Sequence, residues 1–268
     1  MYTIFGSTGF IGKELVSHLK KKHINVFTPN KNQIKFNKNL GYIIYCVGSD
    51  DWLIKTQKGY FSNLGHLQKV IFNNKFKKII FLSTTRLYIN SKKQNDEESG
   101  LIINSQRAND YYNILKIASE SILKNNCKNY AILRVSNVFG CNFKSPLLLP
   151  TIIRNSIKKK TTYINLSLNS SKDYIHINDL INLIFKIKKK NKYKIYNVAN
   201  GQKIKLKQIL NILRKLIDCK IVLKNKNKEI HEPKININRI KKEFNFKPKL
   251  SFKKSLPSLL RDFKKNLV

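Results

Sequence analysis

A glycine-rich turn between a short apolar strand and an amphipathic helix is the feature that most constrains how this chain folds. The strand covers residues 2–5 and the turn covers residues 6–12. Gly6 permits a tight turn, Gly9 lets the backbone approach a pyrophosphate at the positive end of the helix, and Gly12 lets the helix pack closely on the strand. The order strand, turn, helix therefore predicts a site for a dinucleotide cofactor.

Strands alternate with helical segments through the first half of the chain. The predicted strands cover residues 25–28, 42–47, 78–82 and 130–135, and the predicted helices cover 13–21, 60–73 and 110–124. This alternation is typical of an α/β fold with a doubly wound parallel sheet. About a dozen residues separate the second strand from the third, which is too few for an additional helix and strand. We therefore expect one crossover unit to be shortened.

A Tyr-x-x-x-Lys pair indicates acid–base chemistry. Tyr112 and Lys116 share one face of a predicted helix, so the lysine cation can favour the phenolate and make the phenol a proton shuttle. Thr84 lies in the segment 81–88, which follows a buried strand at the edge where open α/β sheets bind ligands. With the glycine turn, the Tyr112–Lys116 pair predicts a nicotinamide enzyme, and Thr84 can donate a hydrogen bond to a ligand at this edge.

Composition limits the class of protein. The chain has 268 residues, of which 41% are hydrophobic, enough for one large domain or two closely associated ones. We expect no membrane span and no secretion signal, and hence a cytoplasmic protein. The cysteines lack the paired spacing of a disulfide framework or a zinc site, so we expect no metal. They are Cys46, Cys127, Cys141 and Cys219.

The net charge of +38 and the pI near 10.1 would suit a nucleic-acid binder. However, only 7 of the 53 basic residues are arginine, and the lysines are spread through the whole chain. Sites for nucleic acids favour arginine, because its planar fork recognises bases and phosphates in a bidentate manner. The lysine surplus, together with abundant Asn, Ile, Tyr and Phe, indicates compositional drift. We therefore expect no specific nucleic-acid partner.

The order of the motifs resembles that of the extended short-chain dehydrogenase/reductase family of nucleotide-sugar epimerases, dehydratases and reductases. The glycine turn, the hydroxyl segment 81–88 and the Tyr112–Lys116 pair carry this resemblance. Asn63 matches the family's helix asparagine beside the cofactor, and Glu120 matches the acidic residue after the Tyr-Lys pair. The similarity continues through four later segments, namely residues 133–140, 172–179, 196–201 and 240–252.

The resemblance implies a Rossmann-like cofactor domain of residues 1–138 and 172–199, and a smaller substrate domain of residues 139–171 and 200–268. It implies a nucleotide-sugar substrate, NAD or NADP as cofactor, and a homodimer. It also implies that the catalytic residues are Thr84, Tyr112 and Lys116. Substrate contacts are assigned to Thr84, Asn137 and Lys172. Cofactor contacts are assigned to Gly6, Thr8, Gly9, Phe10, Ile11, Gly12, Asn30, Cys46, Val47, Gly48, Asn63, Ser83, Tyr112, Lys116 and Ser136.

Departures from the family pattern reduce the number of activities that we expect of this chain. The 4,6-dehydratases of the family carry Thr-Asp-Glu where this chain has Thr84-Thr85-Arg86, which disfavours dehydration. An epimerase that retains its cofactor and a ketoreductase that consumes it both remain open. A non-catalytic dinucleotide-binding regulator is the alternative, and a basic nucleic-acid binder is a weaker one.

The choice between NAD and NADP is also open. The end of the second strand lacks the Asp or Glu that binds the ribose 2′-hydroxyl of NAD. Asn30 can hydrogen-bond at this position, and Lys31 could accept a 2′-phosphate.

Overall fold

The computed structural model describes residues 1–30, 33–48, 57–91, 95–107, 110–224 and 229–267, without the side chain of Lys58. Its centre is a six-stranded sheet in the order β2-β1-β3-β4-β5-β9, and every neighbouring pair in it is parallel. The strands are β1 (Tyr2–Phe5), β2 (Val26–Phe27), β3 (Tyr42–Tyr45), β4 (Lys78–Thr84), β5 (Tyr130–Val135) and β9 (Ile195–Val198). The expected doubly wound α/β fold is confirmed.

Nine α-helices, counted over the described residues, accompany the strands. They are α1 (Phe10–Lys21), α2 (Gln57–Tyr60), α3 (His66–Asn73), α4 (Tyr111–Asn126), α5 (Leu148–Lys158), α6 (Ile177–Lys189), α7 (Leu206–Leu216), α8 (Asn238–Phe244) and α9 (Phe252–Leu267). A π-helical turn (Phe61–Gly65) separates α2 from α3, and a 3₁₀ turn (Thr85–Tyr88) follows β4. In the part of the chain that the structure describes, no helix combines the length and the apolar character needed to cross a membrane.

The crossover between the second and third strands is short, as expected. β2 has two residues and lies at the edge of the sheet, and β3 pairs with β1 on its other side. The residues described between them, up to position 30 and from position 33, form no helix or strand. Lys31, which we considered for a 2′-phosphate, lies outside the described residues.

Three apolar clusters hold these layers together. One cluster packs α1 and α6 against one face of the central sheet, and a second packs α3 and α4 against the other face. A third cluster joins α5, α7 and α9 beside two small sheets, β10-β8-β6 and β11-β7. The strands of the small sheets are β6 (Asn137–Phe139), β7 (Thr161–Ile164), β8 (Ser171–His176), β10 (Lys203–Lys205) and β11 (Lys220–Leu223).

The predicted helix over residues 60–73 differs most from the structure. Instead of one continuous helix, the chain forms α2, the π-helical turn and then α3. Asn63 lies within the turn, is fully buried, and donates from Nδ2 to the carbonyl oxygen of Gly59 at 2.9 Å. A side chain that bonds a main-chain carbonyl competes with regular helical hydrogen bonding, and π-turns of this kind are frequent at functional sites.

We expect Gly12→Ala to destabilise the fold by about 3 kcal/mol, because an added methyl group cannot be accommodated there. A Cβ at Gly12 would lie 2.1 Å from the carbonyl oxygen of Gly6, and main chain cannot move aside as a flexible side chain can. The gain in helix propensity from alanine, about 1 kcal/mol, is smaller than this cost.

The measurement is urea unfolding of the two proteins. Gly100→Ala is the matched control, since a Cβ at Gly100 meets nothing within 4 Å, and we expect a change below about 0.5 kcal/mol. Equal stability of Gly12→Ala and wild type would contradict the close packing of α1 on the turn.

Candidate active site

The turn between β1 and α1 has the shape of a phosphate cradle. Gly6 adopts φ +79°, a left-handed conformation that favours glycine, and its carbonyl oxygen accepts from the Gly9 N–H at 3.0 Å. Gly9 directly precedes α1, whose first turn contains no acidic residue. A Cβ at Gly9 would have a single near neighbour, the Gly6 carbonyl oxygen at 3.4 Å, so space remains above the helix N-terminus. The turn therefore fits the pyrophosphate of a dinucleotide.

The chain after β3 forms the wall next to this turn. The Cys46 N–H donates to the carbonyl oxygen of Phe5 at 2.9 Å, which holds the two strand ends together. A Cβ at Gly6 would lie 2.8 Å from the carbonyl carbon of Cys46, so there is no space for a larger residue at position 6. Burial raises the pKa of the Cys46 thiol to about 12, against the opposing effect of Lys116. Cys46 is thus a partly buried wall residue of the expected cofactor site.

Three elements converge beside this wall. A Cβ at Gly48 would lie 3.6 Å both from Oδ1 of Asn63 and from Nζ of Lys116. Asn63 comes from the π-helical turn and Lys116 from α4, and both are buried, whereas Gly48 is exposed. Ser119, one turn along α4 from Lys116, donates to the carbonyl oxygen of Asn63 at 2.9 Å. The structure therefore brings together three residues that the sequence assigned to cofactor contact.

Lys116 carries a buried ammonium group beside Tyr112. Its side chain is 3% exposed, and Nζ donates to the carbonyl oxygen of Leu82 at 3.4 Å. Nζ also lies 5.6 Å from the centre of the Tyr112 ring. Burial lowers the pKa of Lys116 to about 8, while the carboxylate of Glu120 and the Cys46 thiol act in the opposite direction.

The segment after β4 also lies close to Tyr112. Thr84 is the last residue of β4, and its Oγ accepts from the Arg86 N–H at 3.1 Å, which leaves its own O–H available as a donor. The guanidinium carbon of Arg86 lies 5.7 Å from the centre of the Tyr112 ring. The ring of Tyr112 is therefore close to two cations, and the sequence had identified only one of them.

Behind Thr84 lies a buried hydrogen-bond network. The Ser83 hydroxyl donates to Glu120 at 2.6 Å, and Arg134 binds both oxygens of Glu120 from Nε at 3.1 Å and from Nη2 at 2.8 Å. Arg134 also donates to the hydroxyl of Tyr88 at 2.7 Å, and Tyr88 donates to Asn197 at 2.9 Å. Sequence reasoning missed Arg134 and Tyr88, although an arginine inside an otherwise apolar strand signals a buried partner.

The predicted substrate residues Asn137 and Lys172 gather around Glu232. Nδ2 of Asn137 donates to Oε2 of Glu232 at 2.8 Å, and Nζ of Lys172 lies 3.6 Å from Oε1 of the same carboxylate. Ser136 donates to Asp173 at 2.9 Å, and burial raises the pKa of Asp173 to about 6. No motif marked Glu232, because its neighbours lie far away in the sequence.

The remaining predicted cofactor residues lie around the cradle or near its edge. Phe10 and Ile11 form the first turn of α1, Thr8 is exposed in the glycine turn, and Val47 follows β3. Asn30 is exposed, beyond the end of β2. The roles of these five residues stay predictions.

We expect the buried ammonium of Lys116 to make stability depend on pH. Its pKa is about 8 in the folded protein and near 10.5 in the unfolded chain, so between these values the unfolded chain binds more protons. The free energy of unfolding should therefore rise with pH across this window, by about 3 kcal/mol in total from this group.

The other lysines also titrate there, so the measurement is the difference between wild type and Lys116→Met in chemical unfolding from pH 7 to pH 10.5. As the pH rises, the free energy of unfolding of wild type should increase relative to that of Lys116→Met. If the two proteins respond to pH in parallel, the ammonium of Lys116 is not held in a desolvated site.

Comparisons with known proteins agree with this geometry. The profile of the NAD dependent epimerase/dehydratase family matches residues 2–199. No curated protein sequence matches the chain significantly.

Among solved structures, MoeE5 in complex with UDP-glucose and NAD is similar, with a TM-score of 0.87 and 14% identity over 100% of this chain and 99% of that one. The UDP-glucose 4-epimerase of Thermotoga maritima, with UDP-glucose, has a TM-score of 0.83 and 19% identity. This match covers 100% of this chain and 99% of the epimerase chain. The UDP-glucuronic acid 4-epimerase of Bacillus cereus, with UDP-glucuronic acid and NAD, has a TM-score of 0.81 and 16% identity. This match likewise covers 100% of this chain and 99% of the other chain.

At these identities the structural matches establish the fold, while the family profile covers more than half of the chain. The expected resemblance is confirmed, and so is the expectation of an enzyme rather than a simple binding module. The chain belongs to the NAD dependent epimerase/dehydratase family.

Proposed function

We propose that this protein moves a hydride at one carbon of a nucleotide-activated sugar, as an epimerase or a ketoreductase. The observation that carries the proposal is the buried ammonium of Lys116, which lies 5.6 Å from the centre of the Tyr112 ring, in a chain of the NAD dependent epimerase/dehydratase family. Similar structures hold UDP-glucose or UDP-glucuronic acid, so this fold accommodates both a neutral and an acidic sugar. The chain's own side chains then determine which substrate is bound.

The dinucleotide would lie across the carboxyl ends of β1, β3 and β4. The glycine turn would hold its pyrophosphate, and Asn63, Lys116 and Gly48 would hold the nicotinamide end. When bound, the nicotinamide supplies the hydride acceptor or donor, which no amino-acid side chain provides.

The side chains supply proton transfer and orientation. Tyr112 Oη would take a proton from a sugar hydroxyl or return one to a keto oxygen, and Thr84 would hold the same oxygen through its O–H. The ammonium of Lys116, 5.6 Å from the tyrosine ring, favours the phenolate by its charge. Burial within the site strengthens this interaction, since the effective dielectric constant there is lower than in water.

A non-catalytic dinucleotide binder is the alternative. Against it stands the ammonium of Lys116 placed 5.6 Å from the centre of the Tyr112 ring, because a binder with no proton to move has no need of a charge that favours the phenolate. Thr84 and Tyr112 would likewise have no task in such a protein. The site geometry thus supports the enzyme.

Further features of the proposal come from the sequence. The homodimer and the division into domains of residues 1–138 with 172–199 and 139–171 with 200–268 rest on the family resemblance. The cytoplasmic location and the absence of nucleic-acid and membrane partners rest on composition and on the distribution of apolar residues. The test below distinguishes NAD from NADP.

The test of the proposal begins with mass spectrometry of dinucleotide released from freshly purified, denatured protein. Retained NAD would support an epimerase, because that cycle returns the hydride to the same carbon and regenerates the cofactor. An empty site that takes up NADPH on titration would support a ketoreductase. Failure to bind either dinucleotide would refute the proposed function.

We expect Gly9→Ala to weaken dinucleotide binding by at least about tenfold, because the new methyl group would occupy space that the pyrophosphate needs. The apo protein should lose less than about 1 kcal/mol of stability, the usual difference between glycine and alanine before a helix. Calorimetric titration with NAD and NADP measures the effect. Gly100→Ala serves as control, and unchanged affinity in Gly9→Ala would remove the turn from the cofactor site.

We expect Tyr112→Phe to lower turnover of the active nucleotide sugar by at least about 100-fold, because the phenol O–H is the proposed acid and base. Dinucleotide affinity should stay within a few-fold of wild type. Tyr111→Phe is the matched control, since Tyr111 is the adjacent residue on α4 and its side chain is exposed. Turnover in Tyr112→Phe close to that of Tyr111→Phe would show that another group moves the proton.

A further inference from the structure

We propose that Arg86 binds a carboxylate on the sugar, so that the preferred substrate is a nucleotide-activated uronic acid. This inference rests on the proposed function, because it names the substrate class of the same site. It concerns a residue that the family pattern did not assign to any contact.

The position of Arg86 is fixed by its own backbone. It is the second residue of the 3₁₀ turn that follows β4, and its N–H donates to Oγ of Thr84 at 3.1 Å. The next two residues, Leu87 and Tyr88, are each 1% exposed and hold the turn against the core. The backbone of Arg86 is therefore fixed beside Thr84, the residue that we propose binds the reacting oxygen.

The side chain of Arg86 lies close to the ring of Tyr112. Its guanidinium carbon is 5.7 Å from the centre of the Tyr112 ring, and Nζ of Lys116 is 5.6 Å from that centre. Arg86 is only partly buried, whereas Lys116 is almost completely buried. A sugar whose oxygen contacts Thr84 and Tyr112 would thus have a neighbouring group within reach of Arg86.

The chemistry of arginine determines what that group should be. A guanidinium group donates hydrogen bonds and accepts none, so Arg86 is suited to hold an acceptor group of the substrate. It offers planar paired N–H donors, which match a carboxylate in a bidentate, charge-assisted contact. The hydroxyl oxygens of a neutral sugar offer only single, uncharged acceptors. An acidic sugar therefore gains more from Arg86 than a neutral sugar does.

The diphosphate is a second anionic group of the substrate that this arginine could contact. UDP-glucuronic acid and UDP-glucose carry the same diphosphate and differ in the group at carbon 6. A contact to the diphosphate would affect both ligands equally, whereas a contact to the carboxylate would affect only the acid. The comparison of these two ligands therefore tests the assignment directly.

The experiment is calorimetric titration of the NAD-loaded protein with UDP-glucuronic acid and with UDP-glucose. Wild type should bind the acid at least about tenfold more tightly. Arg86→Gln should weaken binding of the acid by about 10- to 100-fold and leave binding of UDP-glucose within threefold. Arg86→Lys should fall between them, because it keeps the charge and loses the planar fork.

Arg214→Gln is the control for loss of one positive charge, since Arg214 is exposed on α7, and it should leave both affinities unchanged. Circular dichroism and thermal melting confirm that the Arg86 variants are folded. Equal affinity of wild type for the two ligands, or equal weakening of both in Arg86→Gln, would overturn the inference and leave the proposed function intact. If wild type binds neither nucleotide sugar, the proposed function itself fails.

Discussion

The buried ammonium of Lys116 is the charge around which the candidate site is arranged. An isolated ammonium at this depth would be strongly unfavourable, and the protein places the carboxylate of Glu120 one helical turn away to oppose the loss of solvent. Glu120 is fixed in turn by the two bonds from Arg134 and by the Ser83 hydroxyl. The cation beside Tyr112 thus depends on a network that extends into the central sheet.

This network also connects the hydroxyl segment to the buried core. Ser83 and Thr84 are adjacent in β4, so their side chains point to opposite faces of the strand. Ser83 donates inward to Glu120, whereas Thr84 sits at the strand end and accepts from Arg86. Removing one partner of the Arg134–Glu120 pair would leave a buried charge uncompensated, a change that typically costs about 3–5 kcal/mol. Core stability and site geometry are therefore linked through the same side chains.

The sequence predicted the fold because strands, helices and the glycine turn leave local patterns in the chain, and the candidate site residues were proposed from local motifs in the same way. The strand predicted over residues 130–135 is β5 as observed, and the shortened crossover followed from the number of residues between two strands. Apolar spacing did not predict the π-helical turn, because a bond such as the one from the Asn63 side chain to the Gly59 carbonyl oxygen leaves no trace in the apolar pattern. The same holds for Glu232, which reaches Asn137 and Lys172 across separations of 95 and 60 residues. Such contacts exist only after folding, and no local motif records them.

The two kinds of basic residue occupy different environments, and this contrast bears on Arg86. Lysine supplies almost all of the positive charge, yet among the described residues only Lys78 and Lys116 are buried. The arginines are few, and four of the seven are at least partly buried: Arg86, Arg134, Arg154 and Arg239. Arg134, Arg154 and Arg239 each use more than one nitrogen to bind carboxylate, carbonyl or hydroxyl oxygens. At these three positions the planar fork of arginine supplies several donors in a fixed geometry, which the point charge of a lysine ammonium does not. Arg86 stands beside Tyr112, where the same planar fork would bind the carboxylate of an acidic sugar in a bidentate manner.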